Sequence, residues 1–186
     1  MKNPLSKYPS RDEVEEAIAV ALSVARDQDL SVALVGGIAM QFYGSDRLTK
    51  DVAFVACDIP LMDKRLKFDR KLSFGGRAFR TSSGIPVDFI ARDDGYEELY
   101  DEALSKAVVI DGFPVVTPPY LAAMKLSAMR EKDRLDLSFL LSKMTAMDIS
   151  RTRKVVERLL GGQFAVDELD LAVSEAKWIS KRGGLR

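Results

Sequence analysis

Apolar residues recur at two different spacings along this chain, and the change in spacing predicts where helices and strands lie. Near the amino terminus, apolar residues follow one another at intervals of three or four, namely Val14, Ile18, Leu22 and Ala25. That interval is the repeat of one helix face. Ser10 and Glu13 stand before it with the spacing of a capping box, so the helix is predicted to begin there.

Short apolar runs bounded by glycine, serine or proline come next and predict strands. The predicted strands span 30–35, 49–56, 78–81, 85–91, 108–110 and 115–117, with short helices at 38–43 and 96–107. From Thr117-Pro118 to about Trp178 the pattern is mainly helical, with a break at Gly161-Gly162. The sequence therefore predicts an α+β fold, with a mixed core over 1–117 and a helical region over 118–186 packed on that core.

Two absences in the composition restrict the chemistry. The chain has 186 residues, no histidine and one cysteine, Cys57. Without histidine there is no Ser-His-Asp triad and no His-ligated zinc site. Cys57 follows a predicted strand, and we predict a small buried side chain there. Any catalysis must rest on carboxylates, lysine, arginine, hydroxyls and an oxygen-liking cation.

Charge and hydropathy point to a cytoplasmic protein with no membrane span. The 28 basic residues balance the 28 acidic ones, so no overall field favours non-specific binding to nucleic acid. No run reaches the roughly 18 apolar residues of a membrane helix. Acidic residues precede the apolar run 17–25, whereas a signal peptide would begin with basic residues.

A paired glycine and the loop after it form the first candidate site. Gly36 and Gly37 lie between a predicted strand and a predicted helix, where glycine lets the backbone approach a phosphate closely. Ser45 and Arg47 follow, and a hydroxyl and a guanidinium can both bind phosphate oxygens. Each feature also has a plainer interpretation, which is a simple turn for the glycines and a polar loop for the other two residues.

Two aspartates interrupt apolar strands. Asp51 and Asp88 each stand in a predicted strand, where a carboxylate is disfavoured unless it is paired or binds a ligand. Alternation puts residues 51 and 53 on one side of the sheet, and two carboxylates at that spacing would chelate a divalent metal. Residue 53, however, is alanine. A structural ion pair or hydrogen bond is the alternative role for Asp88.

Basic residues on the predicted helices and in the middle of the chain add further candidates. Lys125 falls on the packed side of its helix, where it either extends to solvent or meets a phosphate in a cleft. The segment 130–136 has the pattern of a solvated face with pairs such as Lys132–Asp136. The basic segment 62–80 either guides RNA or a triphosphate or is a solvated surface, and Gly75-Gly76 predicts a turn within it.

Taken in order, these residues resemble the nucleotidyltransferase superfamily with the polymerase-β-type fold, and more narrowly the AbiEii-like and other minimal nucleotidyltransferases, some of which are toxins of toxin–antitoxin pairs. The matching positions are Gly36, Gly37, Gly44, Ser45, Arg47, Thr49, Asp51, Asp88, Lys125 and Lys132-Asp133-Arg134-Leu135-Asp136. The resemblance spans residues 30 to 140 approximately. It implies a mixed sheet with flanking helices, followed by a helical part.

The resemblance implies transfer of a nucleoside monophosphate from an NTP to a hydroxyl on RNA, a protein or a small molecule, with Mg²⁺ as cofactor. Asp51 would hold the metal, and Asp88 would complete the metal site and accept the proton of the attacking hydroxyl. Lys125 would be the third catalytic residue. The phosphates would be bound by Gly36, Gly37, Ser45 and Arg47.

Ala53 departs from the family pattern, which has a second metal-binding aspartate there. Four interpretations follow from this departure. The protein is a transferase that works poorly or with one metal, or a catalytically silent member that binds nucleotide or a partner such as an antitoxin. Otherwise it is an engineered inactive form, or a structural α+β module whose strand carboxylates pair with arginines.

Overall fold

The structure is a computed structural model that describes residues 8–181, and the chain divides into one compact unit ending at Val115 and a second starting at Val116. The predicted boundary lies two residues further on, at 117/118. Within the described part, the first unit has helices α1 (Arg11–Asp27), α2 (Gly36–Phe42) and α3 (Glu97–Ser105). Its strands are β1 (Val32–Val35), β2 (Val52–Ala56), β3 (Lys67–Lys71), β4 (Arg77–Arg80), β5 (Pro86–Ile90), β6 (Val108–Ile110) and β7 (Phe113–Val115).

The strands of the first unit form one mixed sheet in the order β3-β4-β5-β2-β1-β7-β6. Strand β2 lies near the middle, antiparallel to β1 and parallel to β5. Hairpins of antiparallel strands complete both edges, β3–β4 on one side and β6–β7 on the other. Helices α1, α2 and α3 all contact β2. The prediction of an α+β fold with a mixed sheet and flanking helices is therefore confirmed.

Alternating side chains explain why β2 and β5 lie inside the sheet. Phe54 and Phe89 are register partners, and their rings stack with centroids 5.6 Å apart. Phe79 on β4 meets the Phe89 ring edge-on at 5.8 Å. All three side chains are buried, and this aromatic contact fixes the register of three neighbouring strands.

The second unit, as far as residue 181, is helical. Its elements are α4 (Pro118–Ala128), α5 (Glu131–Lys143), α6 (Ala146–Leu159) and α7 (Gln163–Lys181). Helix α4 packs on α5 and α6, and α7 packs on α5 and α6. The predicted proline at the first position of α4 and the predicted break at Gly161-Gly162 are both present. Residues 182–186 of the predicted helical region lie outside the described range.

Several local predictions are confirmed and others are wrong. Ser10 and Glu13 form the predicted capping box of α1, and the Gly75-Gly76 turn joins β3 to β4. The prediction of a buried Cys57 is wrong, because the strand ends at Ala56 and the thiol is exposed while accepting a hydrogen bond from the Ser31 amide. No helix within 8–181 combines the length and the apolar character that a membrane crossing requires.

Candidate functional site

The paired glycines begin α2 directly after β1, and each has its own structural reason. Gly36 has φ of +66°, in the left-handed region that favours glycine. A Cβ at Gly37 would lie 2.8 Å from the Cβ and hydroxyl of Thr49 and 3.2 Å from a guanidinium nitrogen of Arg47. The missing side chain therefore lets the start of α2 approach the strand that leads into β2. Because α2 has only seven residues, its helix dipole contributes little electrostatic attraction at this position.

The loop from α2 to β2 is held by its own hydrogen bonds. Gly44, with φ of +90°, ends the helix, and the Ser45 amide donates to the Met40 carbonyl at 3.0 Å. The Ser45 hydroxyl then accepts from the Arg47 amide at 3.3 Å, and the Gln41 side chain donates to the Arg47 carbonyl at 2.9 Å. The loop thus places Ser45 and Arg47 by local bonds rather than leaving them mobile on a polar turn.

Thr49 orients Asp51, which directly precedes β2 and is partly exposed. The Thr49 hydroxyl donates to Asp51 Oδ1 at 2.7 Å. This bond leaves the other carboxylate oxygen of Asp51 available for a ligand. From the sequence, Thr49 is one of the positions that match the family pattern, with no role of its own predicted. Its hydroxyl two residues before an aspartate was the signal that could have marked it as a positioning residue.

Asp88 lies in the middle of the sheet between two alanines. It is only 9% exposed, and its register partners are Ala53 on β2 and Ala78 on β4. Val35 on β1 is in turn the partner of Ala53, so one row of residues crosses four strands. Register partners point to the same face of a sheet, and the small alanines leave room beside the carboxylate.

Gly36 meets the same row from the adjoining turn. A Cβ built on Gly36 would lie 3.6 Å from the Cβ of Ala53. The glycine turn therefore lies against Ala53. This residue is two positions after Asp51 in the chain and is the register partner of Asp88 on β5. An aspartate at position 53 would stand beside Asp88 and beneath that turn. The structure thus links Gly37 to Arg47 and Thr49, Thr49 to Asp51, and Gly36 through Ala53 to Asp88.

These donors fit one Mg²⁺ better than two. Asp51 and Asp88 supply hard carboxylate oxygens, and Mg²⁺ is commonly held by one or two carboxylates together with the phosphates of a substrate. Two metal ions would need more ligands. Over the described residues no group of three or more carboxylate, histidine or cysteine side chains could hold a metal. The donor set is compatible with a single, weakly held ion.

Lys125 belongs to the second unit, where it joins a buried ionic cluster. Its Nζ donates to Asp133 Oδ1 at 2.9 Å and to Asp136 Oδ2 at 2.6 Å. The lysine is 7% exposed and the two aspartates are 0% and 2% exposed. The prediction of a solvated face over 130–136 is therefore wrong at these two positions. A role of Lys125 in phosphate binding stays a prediction.

Arg130 completes this cluster. Its Nε donates to Asp133 Oδ2 at 2.5 Å. Burial alone would raise the pKa of Asp133, but the hydrogen bonds and charges of Arg130 and Lys125 bring that pKa below its usual value. Asp133 is thus held as a carboxylate. The spacing of Asp133 and Asp136 puts both on one face of α5, a signal that could have linked them to Lys125.

A separate cavity of about 550 Å³ lies in the first unit. It is bordered by the start of α1, the outer side of α2, the loop after it and the β6–β7 turn. Of the seven predicted site residues, Ser45 lines it, and Thr49 does so as well. The two aspartates do not, so the cavity and the carboxylates are adjacent features joined at Thr49.

The basic segment 62–80 turns out to contain the edge strand β3, all of whose residues are exposed. Several of its charges are neutralised locally. Arg65 pairs with Asp63 and Asp27 at 2.7 Å each, and Arg70 pairs with Asp69 at 2.8 Å. These pairs favour the solvated-surface interpretation, and guidance of RNA or triphosphate stays a prediction.

Comparisons with known proteins give likenesses of fold. No protein-family model matches the chain, and no curated protein matches it. Among solved structures, the chain is similar to an antigenic nucleotidyltransferase-like protein from Paracoccidioides brasiliensis, with 18% identity, a TM-score of 0.48, and coverage of 95% of this chain and 91% of that one.

Two further structures are similar at the same level. JHP933 from Helicobacter pylori has 16% identity, a TM-score of 0.46, and coverage of 95% and 97%. The antibiotic-resistance factor ANT(2″)-Ia has 14% identity, a TM-score of 0.45, and coverage of 95% and 96%. At these values of identity and TM-score, the likenesses establish neither a family nor a function for this chain.

Proposed function

We propose that this chain has the nucleotidyltransferase fold of the AbiEii-like type and binds a nucleoside triphosphate with Mg²⁺ at the Gly36–Gly37 turn, and that nucleotide transfer is slow because Ala53 stands in place of a carboxylate. The observation that carries the proposal is the row across β1, β2 and β5, in which Ala53 is the register partner of Asp88 and lies 3.6 Å from a Cβ built on Gly36.

Each residue around the turn has a separate role in this proposal. Gly37 has no side chain to block the approach of a phosphate to the backbone at the start of α2, and it lies close to Thr49 and Arg47. The Arg47 guanidinium adds positive charge, and Ser45 adds a hydroxyl. Asp51, oriented by Thr49, and Asp88 would hold Mg²⁺, which would neutralise charge that develops on the phosphates.

The proposed reaction moves one nucleoside monophosphate. The oxygen of an acceptor hydroxyl bonds to the α-phosphorus, the bond from that phosphorus to the bridging oxygen of pyrophosphate breaks, and Asp88 takes the proton of the hydroxyl. Asp88 is the buried member of the two aspartates, and Asp51 is partly exposed.

Restoring the missing carboxylate tests this function. We expect the Ala53→Asp variant to raise Mg²⁺-dependent release of pyrophosphate from NTPs at least tenfold, since one metal ligand contributes several kcal/mol to the transition state. Ala53→Asn is the matched control and should give no gain, because it adds the same shape without the charge. Calorimetry should detect binding of an NTP to the unmodified protein. Absence of NTP binding to both the unmodified protein and the aspartate variant would refute the proposal.

A catalytically silent role is the second candidate, and Ala53 itself favours it. In that case the protein binds a nucleotide or a protein partner, such as an antitoxin, without catalysing transfer. The two candidates differ in one result. If the unmodified protein binds NTP with Mg²⁺ but Ala53→Asp still releases no pyrophosphate, the silent role is supported over slow transfer.

A further inference from the structure

The cavity of about 550 Å³ in the first unit has the size of a small-molecule site. Such sites have volumes of about 300–1,000 Å³ and combine an apolar lining with a few polar groups. The apolar part of this lining comes from α1, α2, the loop after α2 and β7, and its residues are Val14, Ile18, Ile38, Phe42, Leu48 and Phe113. The cavity can therefore hold the apolar body of a small molecule.

Two of these residues form an aromatic wall. The ring centroids of Phe42 and Phe113 are 5.8 Å apart, and the rings are tilted by 55°. Both side chains are half-buried, whereas Ile18 and Ile38 are each 3% exposed and form the buried floor of the cavity. Aromatic rings attract organic cations as well as apolar groups, because the face of the ring carries partial negative charge.

The charged residues along the cavity leave an excess of negative charge. Arg11 is the one basic residue among the described residues that line it, and its guanidinium pairs with Glu15 at 2.7 Å. The remaining charges are the carboxylates of Asp46 and Asp111. Within residues 8–181, neither carboxylate has a hydrogen bond or an ion pair. Two uncompensated negative charges therefore accompany the apolar lining.

Local structure explains the position of Asp111 but not its charge. Asp111 and Gly112 have φ of +50° and +84° and form the two-residue turn between β6 and β7. Such a turn accepts asparagine as readily as aspartate. Asp46 lies in the loop between α2 and β2, whose hydrogen bonds do not involve its carboxylate. Neither segment needs the negative charge that it carries into the cavity.

We propose that this cavity is a binding site for a small organic cation, a molecule with an apolar body and a protonated amine. The body would pack against Phe42 and Phe113, and the ammonium group would lie beside the carboxylate of Asp46 or Asp111. An anionic ligand is disfavoured, because the cavity offers it only Arg11, which Glu15 already neutralises. The inference does not rest on the proposed function, since Asp51 and Asp88 do not line the cavity.

Three probes of similar shape and different charge test the proposal, namely naphthylethylammonium, naphthylethanol and naphthylpropionate. Their binding to the full chain is measured at pH 7 by saturation-transfer NMR and calorimetry. We expect the ammonium probe to bind with a dissociation constant on the order of 0.1–1 mM, which is usual for a ligand of this size. The alcohol should bind about fivefold more weakly because it lacks the charge, and the carboxylate should bind more weakly again because it is repelled.

Substitutions of lining residues assign this binding to the cavity. Asp46→Asn and Asp111→Asn should each weaken binding of the ammonium probe about threefold and leave binding of the alcohol unchanged. Asp101→Asn makes the same change in net charge at an exposed position of α3 outside the cavity, and it should change the affinity by less than about twofold. Val14→Phe adds a ring to the cavity wall and should weaken binding of both the ammonium probe and the alcohol.

Any of four results would overturn the proposal. The first is that the ammonium probe does not bind at its highest soluble concentration, and the second is that all three probes bind equally. The third is an equal effect of Asp101→Asn and the two cavity variants, which would place the ammonium group elsewhere on the surface. The fourth is unchanged affinity in Val14→Phe when circular dichroism shows that variant to be folded.

Discussion

Replacing Ala53 with aspartate tests the arrangement of β2 and β5 without any assumption about a substrate. Ala53 and Asp88 are register partners on parallel strands, and neighbouring strands lie about 4.8 Å apart. Two carboxylates at about 5 Å, with an effective dielectric constant of about 20, repel by about 3 kcal/mol. Ala53 is partly exposed, so screening reduces this figure. We expect a loss of about 1–3 kcal/mol in the free energy of unfolding at pH 7 without divalent metal.

The comparison variant is Ala53→Asn, which has nearly the same shape and no charge. Both variants are unfolded in urea with EDTA and again with Mg²⁺. Without metal, the aspartate variant should be the less stable of the two. With Mg²⁺ at about a hundred times its dissociation constant, binding adds about 2.7 kcal/mol to the folded state, so the difference should vanish or reverse.

The pH dependence of the same pair provides a second check. Repulsion raises the pKa of two adjacent carboxylates in the folded state above their unfolded values. Stability that is missing at pH 7 should therefore return as the pH falls and one carboxylate takes up a proton. Equal stability of the two variants at pH 7 in EDTA would show that residue 53 does not face Asp88. An equal response of both variants to Mg²⁺ would show that the pair does not bind the metal.

Three further predictions concern positions around and beyond this row. Lys125→Met should lower the free energy of unfolding in urea by about 3–5 kcal/mol, because it leaves two buried carboxylates without their lysine. Gly37→Ala should lower the free energy of unfolding, measured by thermal unfolding, by about 1–3 kcal/mol, because its Cβ would lie 2.8 Å from Thr49 atoms. The control Gly95→Ala has nothing within 4 Å of its Cβ and should lower the free energy of unfolding by less than about 0.5 kcal/mol. Hydrogen bonds from Arg92 lower the pKa of Asp94 to about 2, so their stabilisation should be complete above about pH 4 and lost between about pH 4 and 2. Asp94→Asn should lack that part of the pH dependence of the melting temperature.

Sequence patterns identified the elements whose side chains alternate or recur against a core. Strands β2 and β5 were predicted because both are short, mostly apolar runs. In the structure the side chains on both faces of these strands are mostly buried, which explains the apolar pattern. Strand β3 was missed because all five of its residues, Lys67–Lys71, are exposed at a sheet edge and carry mostly charge. Its pairing with β4 supplies the backbone hydrogen bonds that its side chains do not predict.

Breaks between helices were predicted only where glycine marks them. Helix α4 ends at Ala128 and is capped by Met129, which has φ of +50° although it is not glycine, and α5 begins at Glu131. No local signal distinguishes that methionine from a helical one. The buried cluster of Lys125 with Asp133 and Asp136 depends on this turn, since it folds α5 back on α4. When each helix is considered separately, the charged residues of α5 are predicted to be exposed to solvent, because their partner lies on α4.

The pairing of Ala53 with Asp88 could not be predicted, because register between distant strands is set by packing across the sheet. The stacked rings of Phe54 and Phe89 fix the register of β2 and β5. Because adjacent residues of a strand point to opposite faces, Ala53 and Asp88 then lie together on the other face of the sheet. The sequence could place Asp88 in a strand and Asp51 at the start of one. Only the register shows that Ala53 is the residue next to Asp88 on β2.

The burial of Asp88 and the glycine at position 37 bear on the choice between the proposed ligand site and a purely structural role. Burying Asp88 in a strand opposes folding, and a glycine at position 37 adds conformational entropy to the unfolded chain. A structural module would gain stability from valine at the first position, whereas a side chain at position 37 would clash with Thr49. The proposed metal site gives one reason for a carboxylate at position 88. Under the proposed function, Ala53 supplies no metal donor but leaves Gly36, Gly37 and Arg47 in place, so loss of catalysis would not require loss of nucleotide binding.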